Sequence, residues 1–349
     1  MTPENIRVAV ALSGGVDSAV AAALLKARGF QVEGVHLRLW ACPPRDHLAA
    51  LARQLGIPLR EVDLRQDFAR LVVDYFVTEY CRGRTPNPCV ACNAAIKFGR
   101  LLEEVRERGS AYLATGHYAR LVPAPDGGLG LYRGADRGKD QSYFLSRMPR
   151  EVLPHILLPL AEMTKAQVKA RHRELGLPAG PDCRESMELC FVPGDRYQEF
   201  LRAQEGFHDS PGDLVDTDGK YLGRHRGLTR YTVGQRRGLG VTFREPHYVV
   251  EIQPEASRVV LGRKADLLSR GLRASRVNWL ITPPRGELEA LAVIRYRHPG
   301  GLAKITPLGP DGVEVIFQEP QAAVTPGQAV VFYQEDRVLG GAWIEERIR

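Results

Sequence analysis

The stretch VAVALSGGVDSAVAAALL, from Val8 to Leu25, constrains the fold of this 349-residue chain more than any other. Arg7 to Leu12 reads as a buried strand, and Val16 to Arg28 as a helix that ends at Gly29. A short polar loop with two adjacent glycines joins them, so the loop sits at a helix N-terminus. There the backbone N–H groups and the positive end of the helix dipole favour an anion. Gly14 and Gly15 let the main chain approach it without a Cβ in the way, and Ser13 and Ser18 add hydroxyls. The loop has neither the Lys-Ser/Thr ending of a Walker-type P-loop nor a G-x-G-x-x-G. A helix capped by Ser13, with glycines for a tight turn, is the plainer reading of the same residues.

Beyond the loop, strand-like and helix-like segments alternate: QVEGVHLRL, RDHLAALARQLG, PLREVDL, DFARLVVDYFVTEYCRG, AAIKFGRLLEEVRERG and AYLATGHYARL. That order predicts an α/β domain with a doubly wound parallel sheet, its ligands at the carboxyl ends of the strands. SGGVDS and Thr115-Gly116-His117 then share one rim. Past Gly206 the texture changes to short β-type runs punctuated by Gly, Pro and Asp, which read as two small β-rich, barrel-like domains. The expected units are 1–206, 207–270 and 271–349.

A hydrophobic share of 44% supports a substantial core, and the apolar runs are too short to span a membrane. The N-terminus MTPENIRV lacks the apolar stretch of a signal peptide, so a cytoplasmic location is expected, with the six cysteines as reduced thiols. Cys42, Cys81 and Cys183 read as buried and inert. Cys89 and Cys92 lie in GRTPNPCVACN, where the prolines around Asn87 mark an irregular connection. With a helix starting at or near Asn93, Cys92 is expected close to its N-terminus, where the dipole and Lys97 lower the thiol pKa. A single C-x-x-C is a weak zinc signal. The net charge is +7, and from Lys220 to Arg244 there are seven Lys/Arg, no Asp or Glu, and interleaved Tyr221, Tyr231 and Phe243. Such a stretch suits phosphates and unpaired bases, or else a solvated hairpin face.

Ser13-Gly14-Gly15-Val16-Asp17-Ser18 matches the S-G-G-x-D-S signature of the ATP pyrophosphatase, or PP-loop, superfamily. Further along come Gly83-Arg84-Thr85-Pro86-Asn87-Pro88, Cys92-Asn93, Ile96-Lys97-Phe98, Ala114-Thr115-Gly116-His117-Tyr118 and Lys139-Asp140-Gln141-Ser142-Tyr143-Phe144. Cys190-Phe191, the run TVGQRRGLG from Thr232, Arg295-Tyr296 and Thr325-Pro326-Gly327-Gln328 complete the series. In this order the pieces cover nearly the whole chain, which resembles the bacterial tRNA-specific 2-thiouridylases.

The resemblance implies a tRNA-uridine 2-sulfurtransferase that adenylates the C2 oxygen of a wobble uridine and then transfers sulfur, using ATP and Mg2+. Ala11, Leu12, Ser13, Gly14, Gly15, Val16, Asp17 and Ser18 would hold ATP, with Leu37 and Gly116 near the adenosine. Cys190 would carry a persulfide and Cys92 act as partner thiol, leaving a disulfide that an external reductant resets. Asn87, Pro88 and Cys89 would touch the target base; His117, Lys139, Asp140, Gln141, Arg295, Tyr296 and Gln328 would contact tRNA. The implied partners are a tRNA anticodon loop and a sulfur donor, either a cysteine desulfurase or a relay carrier; no membrane is implied. Relatives often carry Asp at the place of Cys89. Here Cys89, Cys92 and Cys190 together suggest a second route, a [4Fe-4S] cluster with one open iron. Against all this stand a PP-loop enzyme adenylating a small molecule, a non-catalytic RNA-binding protein, and a sulfur carrier. None of these uses the loop, both thiols and the basic stretch together.

Overall fold

The computed structural model describes residues 3–40, 46–178, 189–192, 194, 196–204, 207 and 209–349. Cys42 and Cys183 lie outside the described residues.

The first strand, Arg7–Ala11, buries Val8, Ala9 and Val10 completely. It pairs in parallel with Gln31–Arg38 on one side and Tyr112–Ala114 on the other. The full sheet runs Leu59–Asp63, Gln31–Arg38, Arg7–Ala11, Tyr112–Ala114, Ile156–Leu157, all parallel. Chain order therefore reverses between the first strand and Tyr112–Ala114, and a doubly wound sheet offers its ligand crevice at that point. The helix Val16–Ala27 packs with this sheet's residues Val8 and Val10 through Ala19, Ala22 and Leu25, while its Val20 and Ala21 pack with Tyr118, Leu160 and Val168. It stops at Gly29, whose φ of +87° is left-handed.

The second sheet is small and runs Tyr248–Gln253, Arg258–Gly262, Gly212–Val215, Tyr221–His225. Leu214, Tyr231, Leu239, Val249, Val259 and Leu261 form its core.

In the third sheet six antiparallel strands close a barrel: Leu268–Trp279, Gly312–Ala322, Gly301–Leu308, Leu288–Val293, Ala329–Gln334 and Arg337–Ile348. Closure comes from Leu268–Trp279 pairing with both Gly312–Ala322 and Arg337–Ile348. Closing a sheet on itself removes its edges.

A hairpin from the first half of the chain, Ala119–Pro123 and Leu129–Arg133, joins this third sheet, with Tyr132 opposite Arg337. Consequently one apolar core runs across the seam, combining Phe98, Tyr143, Leu145 and Met148 with Val331, Tyr333, Val338 and Trp343. Around it Arg120 bonds Asp336 at 3.2 Å, Asn278 Nδ2 donates to the Met148 carbonyl at 2.8 Å, and Arg133 lies 4.0 Å over the Tyr333 ring.

Among the described residues no helix is long and apolar enough to cross a membrane.

Candidate active site

The glycine loop leaves the sheet after Leu12, whose N–H still donates to the Val35 carbonyl at 2.8 Å. Ser13 does not cap the following helix: the N-cap is Gly15, and no side chain bonds the first turn. Instead, the hydroxyls of Ser13 and Ser18 lie 3.2 Å apart, Ser18 Oγ donates to the Gly15 carbonyl at 3.0 Å, and Gly15 N–H reaches Ser13 Oγ at 3.4 Å. The loop folds on itself and leaves the helix N-terminus without a side-chain cap, the arrangement an anion needs.

Two glycines are required here by their surroundings. Gly14 has a φ of +84°, and a Cβ on it would run into the His47 ring. A Cβ on Gly116 would come within 2.9 Å of the Asp17 carbonyl carbon and 3.0 Å of Ser18 N, so TGH touches the first turn of the helix. The structure thus brings together the two loops that flank the crevice. Leu37 stands on the neighbouring strand, partly buried against the core.

Asp17 carries a bond set that sequence reading missed. Lys165 Nζ binds both of its oxygens at 2.7 Å, and Tyr118 Oη donates to Oδ1 at 2.7 Å. Lys165 opens the helix Lys165–Glu174, which Thr164 and Gln167 close with a reciprocal capping box. The signal was legible as T-x-x-Q; that its lysine reaches across to Asp17 was not. His47, which lies against Gly14, was also missed.

His117 connects this loop pair to the thiols. Its Nδ1 lies 2.8 Å from Thr115 Oγ1, and its ring sits 5.8 Å from Phe98. Burial, with Lys97 adding to it, holds its pKa well below the usual histidine value, so the ring is neutral. Phe98 belongs to the helical run that carries Cys89 and Cys92.

That run corrects the expectation for Cys92. It begins at Pro88, not Asn93: Asn87 is the N-cap, its Oδ1 accepting from Val90 N–H at 3.3 Å, with Pro88 at the first helical position. The chain is α-helical over Pro88–Cys92, wide-turned as a π-helix over Asn93–Leu101, and α-helical again over Leu102–Glu107. Cys92 is therefore inside the helix and only 8% exposed. Burial pushes its thiol up to about 12, with Lys97 pulling the other way and the Cys190 and Cys89 thiols adding to the rise. Desolvation outweighs dipole and lysine together. Cys89 and Cys190 are exposed residues, though close packing also raises the Cys89 thiol. Next to Cys190, Phe191 is buried among Trp40, Phe68, Phe76 and Phe200, which fixes this short segment beside the helices. Cys81, expected to be buried, is exposed, because it lies at the end of the helix Asp74–Cys81.

The expected RNA-contacting residues named next separate into three sets. Asn87 and Gln328 meet each other at 3.5 Å, and Gln328 Nε2 also donates to the carbonyls of Thr85 and Pro86 at 3.0 and 3.3 Å. They lock GRTPNP to the barrel turn Thr325–Gln328. Asp140 is buried, accepting from Gly134 N–H, Ser142 N–H and Ser142 Oγ at 2.9, 3.1 and 2.8 Å, so its carboxylate shapes the loop rather than facing a ligand. Gln141 Oε1 accepts from Tyr118 N–H at 2.9 Å, and Lys139 sits on the same turn. Arg295 is exposed and reaches the Ala322 carbonyl at 3.2 Å, while Tyr296 packs 4.6 Å from Phe144.

In the basic stretch, Lys220, Arg224, Arg226, Arg236, Arg237 and Arg244 are exposed. Of its aromatics only Tyr221, at 59%, is open; Tyr231 is buried, its hydroxyl on the Leu239 carbonyl, and Phe243 stacks on His247 at 3.7 Å. The expectation of three base-stacking rings is reduced to one.

Among the described residues no group of three or more His, Cys, Asp or Glu side chains is arranged to hold a metal. Cys89, Cys92 and Cys190 are not grouped as a metal-holding set in this arrangement.

In the comparisons with known proteins, three family models match successive stretches of the chain. A family model described as "tRNA methyl transferase HUP domain" matches residues 6–194. One described as "tRNA methyl transferase PRC-barrel domain" matches 198–263, and one described as "Aminomethyltransferase beta-barrel domain" matches 269–344. The chain is 47% identical to the tRNA-specific 2-thiouridylase MnmA of Syntrophotalea carbinolica, over 99% of this chain and all of that protein. It is 45% identical to the protein of that name in Carboxydothermus hydrogenoformans, over 98% of each chain, and 46% identical to that of Geobacter metallireducens, over 97% and 96%.

Proposed function

The chain belongs to the tRNA-specific 2-thiouridylase family, and from that premise we propose how its residues carry out ATP-dependent thiolation of tRNA uridine at C2. The observation that carries the reading is a continuous set of contacts from the phosphate loop to the thiols: Asp17 and Ser18 against Gly116, His117 against Phe98, and Phe98 on the helix bearing Cys92.

A uracil C2 carbonyl is a poor electrophile with an oxide leaving group, so its oxygen attacks the α-phosphate of ATP and pyrophosphate departs. The uncapped helix N-terminus at Gly15–Ser18 stabilises the charge that develops on that leaving group. Gly14 and Gly116 let backbone N–H groups come close. Asp17, held by Lys165 and Tyr118, is the carboxylate able to hold Mg2+ beside the phosphates, with Ser13 and Ser18 as neutral oxygens. The ion, when bound, neutralises phosphate charge. Sulfur then arrives as a persulfide on Cys190. Its terminal sulfur attacks C2 and AMP leaves, joining C2 to Cys190 through two sulfurs; Cys92 then attacks Cys190 Sγ, the bond between those two sulfurs breaks so that the outer one stays on C2, and an external reductant returns the resulting Cys92–Cys190 disulfide to thiols. Cys92 is kept neutral by burial until that step, which guards it against premature oxidation.

The substrate side of this reading assigns a wobble uridine extruded from an anticodon loop, which must leave its stack to be reached. The exposed arginines near Arg236 serve the phosphate backbone, Arg295 and Lys139 line the approach, and a cysteine desulfurase or relay carrier loads Cys190 in the cytoplasm. The corresponding units are 1–206 for ATP chemistry and 207–270 and 271–349 for RNA. The test combines protein, ATP, Mg2+, a persulfide donor and unmodified tRNA, followed by mass spectrometry of the nucleosides. Cys92→Ser and Cys190→Ser are expected to form no 2-thiouridine, and Asp17→Ala to lose adenylation while keeping tRNA binding. Undiminished product from either Cys variant rejects the scheme.

A further inference from the structure

Pyrophosphate departs with a large negative charge, yet SGGVDS lacks the lysine that ends a Walker-type loop. Lys165 does reach the loop, but its ammonium holds both oxygens of Asp17 at 2.7 Å. Beside the glycines stands an imidazole instead. His47 is the second residue of the helix Asp46–Leu55, and the first atom that a Cβ on Gly14 would meet is its Nε2. The ring thus turns a nitrogen toward the loop, and Gly14, with its φ of +84°, leaves the room for it.

Packing fixes where this ring stands. Leu48, Leu51, Ala52 and Leu55 of the same helix share a core with Val8, Val10 and Leu12 before the loop and with Ala19, Ala22 and Leu25 after it. The elements that carry the phosphate loop therefore also hold the helix that presents His47, the kind of rigid support a catalytic group requires.

We propose that His47 is a catalytic residue of adenylation, its Nε2–H donating a hydrogen bond to the pyrophosphate as it leaves. The inference rests on the loop being the ATP site. In this step the bond from uridine O2 to the α-phosphorus forms. The bond from that phosphorus to the α,β-bridging oxygen breaks, and its electron pair goes to the oxygen. His47 and the N–H groups of the helix N-terminus meet the charge so created; no proton is transferred. A donor aimed at charge that grows in the transition state raises kcat more than it tightens ATP binding.

The experiment uses the full-length enzyme with ATP, Mg2+ and unmodified tRNA, follows release of labelled pyrophosphate, and measures its inhibition by added pyrophosphate and by AMP. Two variants separate the donor from the shape: His47→Gln keeps an amide N–H close to the place of Nε2, and His47→Leu fills the space without one. His47→Leu is expected to slow release about a hundredfold at saturating ATP and to weaken pyrophosphate inhibition about tenfold, with AMP inhibition and thermal unfolding unchanged. His47→Gln should stay within about threefold of the wild type in each measurement. A His47→Leu enzyme as fast as the wild type overturns the proposal. So does a His47→Gln enzyme as slow as His47→Leu, or an equal loss of pyrophosphate and AMP inhibition in His47→Leu, since the residue would then only shape the loop. If the wild type itself releases no pyrophosphate, the reading of the loop as the ATP site fails, and the role of His47 with it.

Discussion

At Cys92 two opposing influences act on one sulfur, and burial wins over the lysine and the helix dipole. A measurable pH signature follows. With the thiol pushed up to about 12, its alkylation by iodoacetamide should climb about tenfold per pH unit from pH 7 to 10 with no plateau, as followed on the Cys92 peptide by mass spectrometry. An ordinary exposed thiol levels off once pH passes about 8.5. A plateau for Cys92 near that value would show that the side chain is solvated. The sequence made Cys92 visible through its spacing to Asn93 and Lys97, yet placed it wrongly. Pro86 and Pro88 both read as helix breakers, whereas Pro88 stands where a proline suits a helix, directly after the Asn87 cap. Lys165 and His47 were invisible for a different reason: their contacts to the phosphate loop span long stretches of chain, and a linear pattern carries no trace of them.

Among the elements, the helix Lys165–Glu174 links stability to chemistry most directly. Its capping box sets the first turn, and the first residue of that turn is the lysine holding Asp17. Thr164→Ala should cost about 1 kcal/mol by thermal or urea unfolding, and should raise KM for ATP more than it lowers kcat, because the lysine loses its fixed origin. An unchanged KM would separate the cap from the site. Strand and helix order in the first half was readable from apolar periodicity, since a strand buried on both faces and an amphipathic helix leave different patterns. The wide-turned stretch Asn93–Leu101 was not, because apolar spacing barely distinguishes a π-helical from an α-helical turn.

For the whole molecule, charge and core tell separate stories. The exposed arginines of the central unit sit in a stretch, 220–244, that contains no Asp or Glu. Replacing Arg236 and Arg237 together by Ala should weaken tRNA binding and lower the slope of log K against log salt by about 1 for each phosphate no longer neutralised. ATP binding by the glycine loop should stay as it was; a parallel loss there would mean that the variant is misfolded. The change of texture near residue 206 announced the β-rich half, and the closed barrel agrees with it. What composition hid is that Trp343, Tyr333 and Val331 complete the same core as Phe98 and Tyr143.

The hairpin Ala119–Pro123 and Leu129–Arg133 is joined to a strand that leaves the ribosome some two hundred residues later. While the chain is being synthesised, the ATP-binding half must therefore wait with an unfinished flank. The helix bearing Cys92 shares its core with Val338 and Trp343 and is completed only when their strand arrives, so that the sulfur chemistry proposed for it becomes available late in the birth of the molecule.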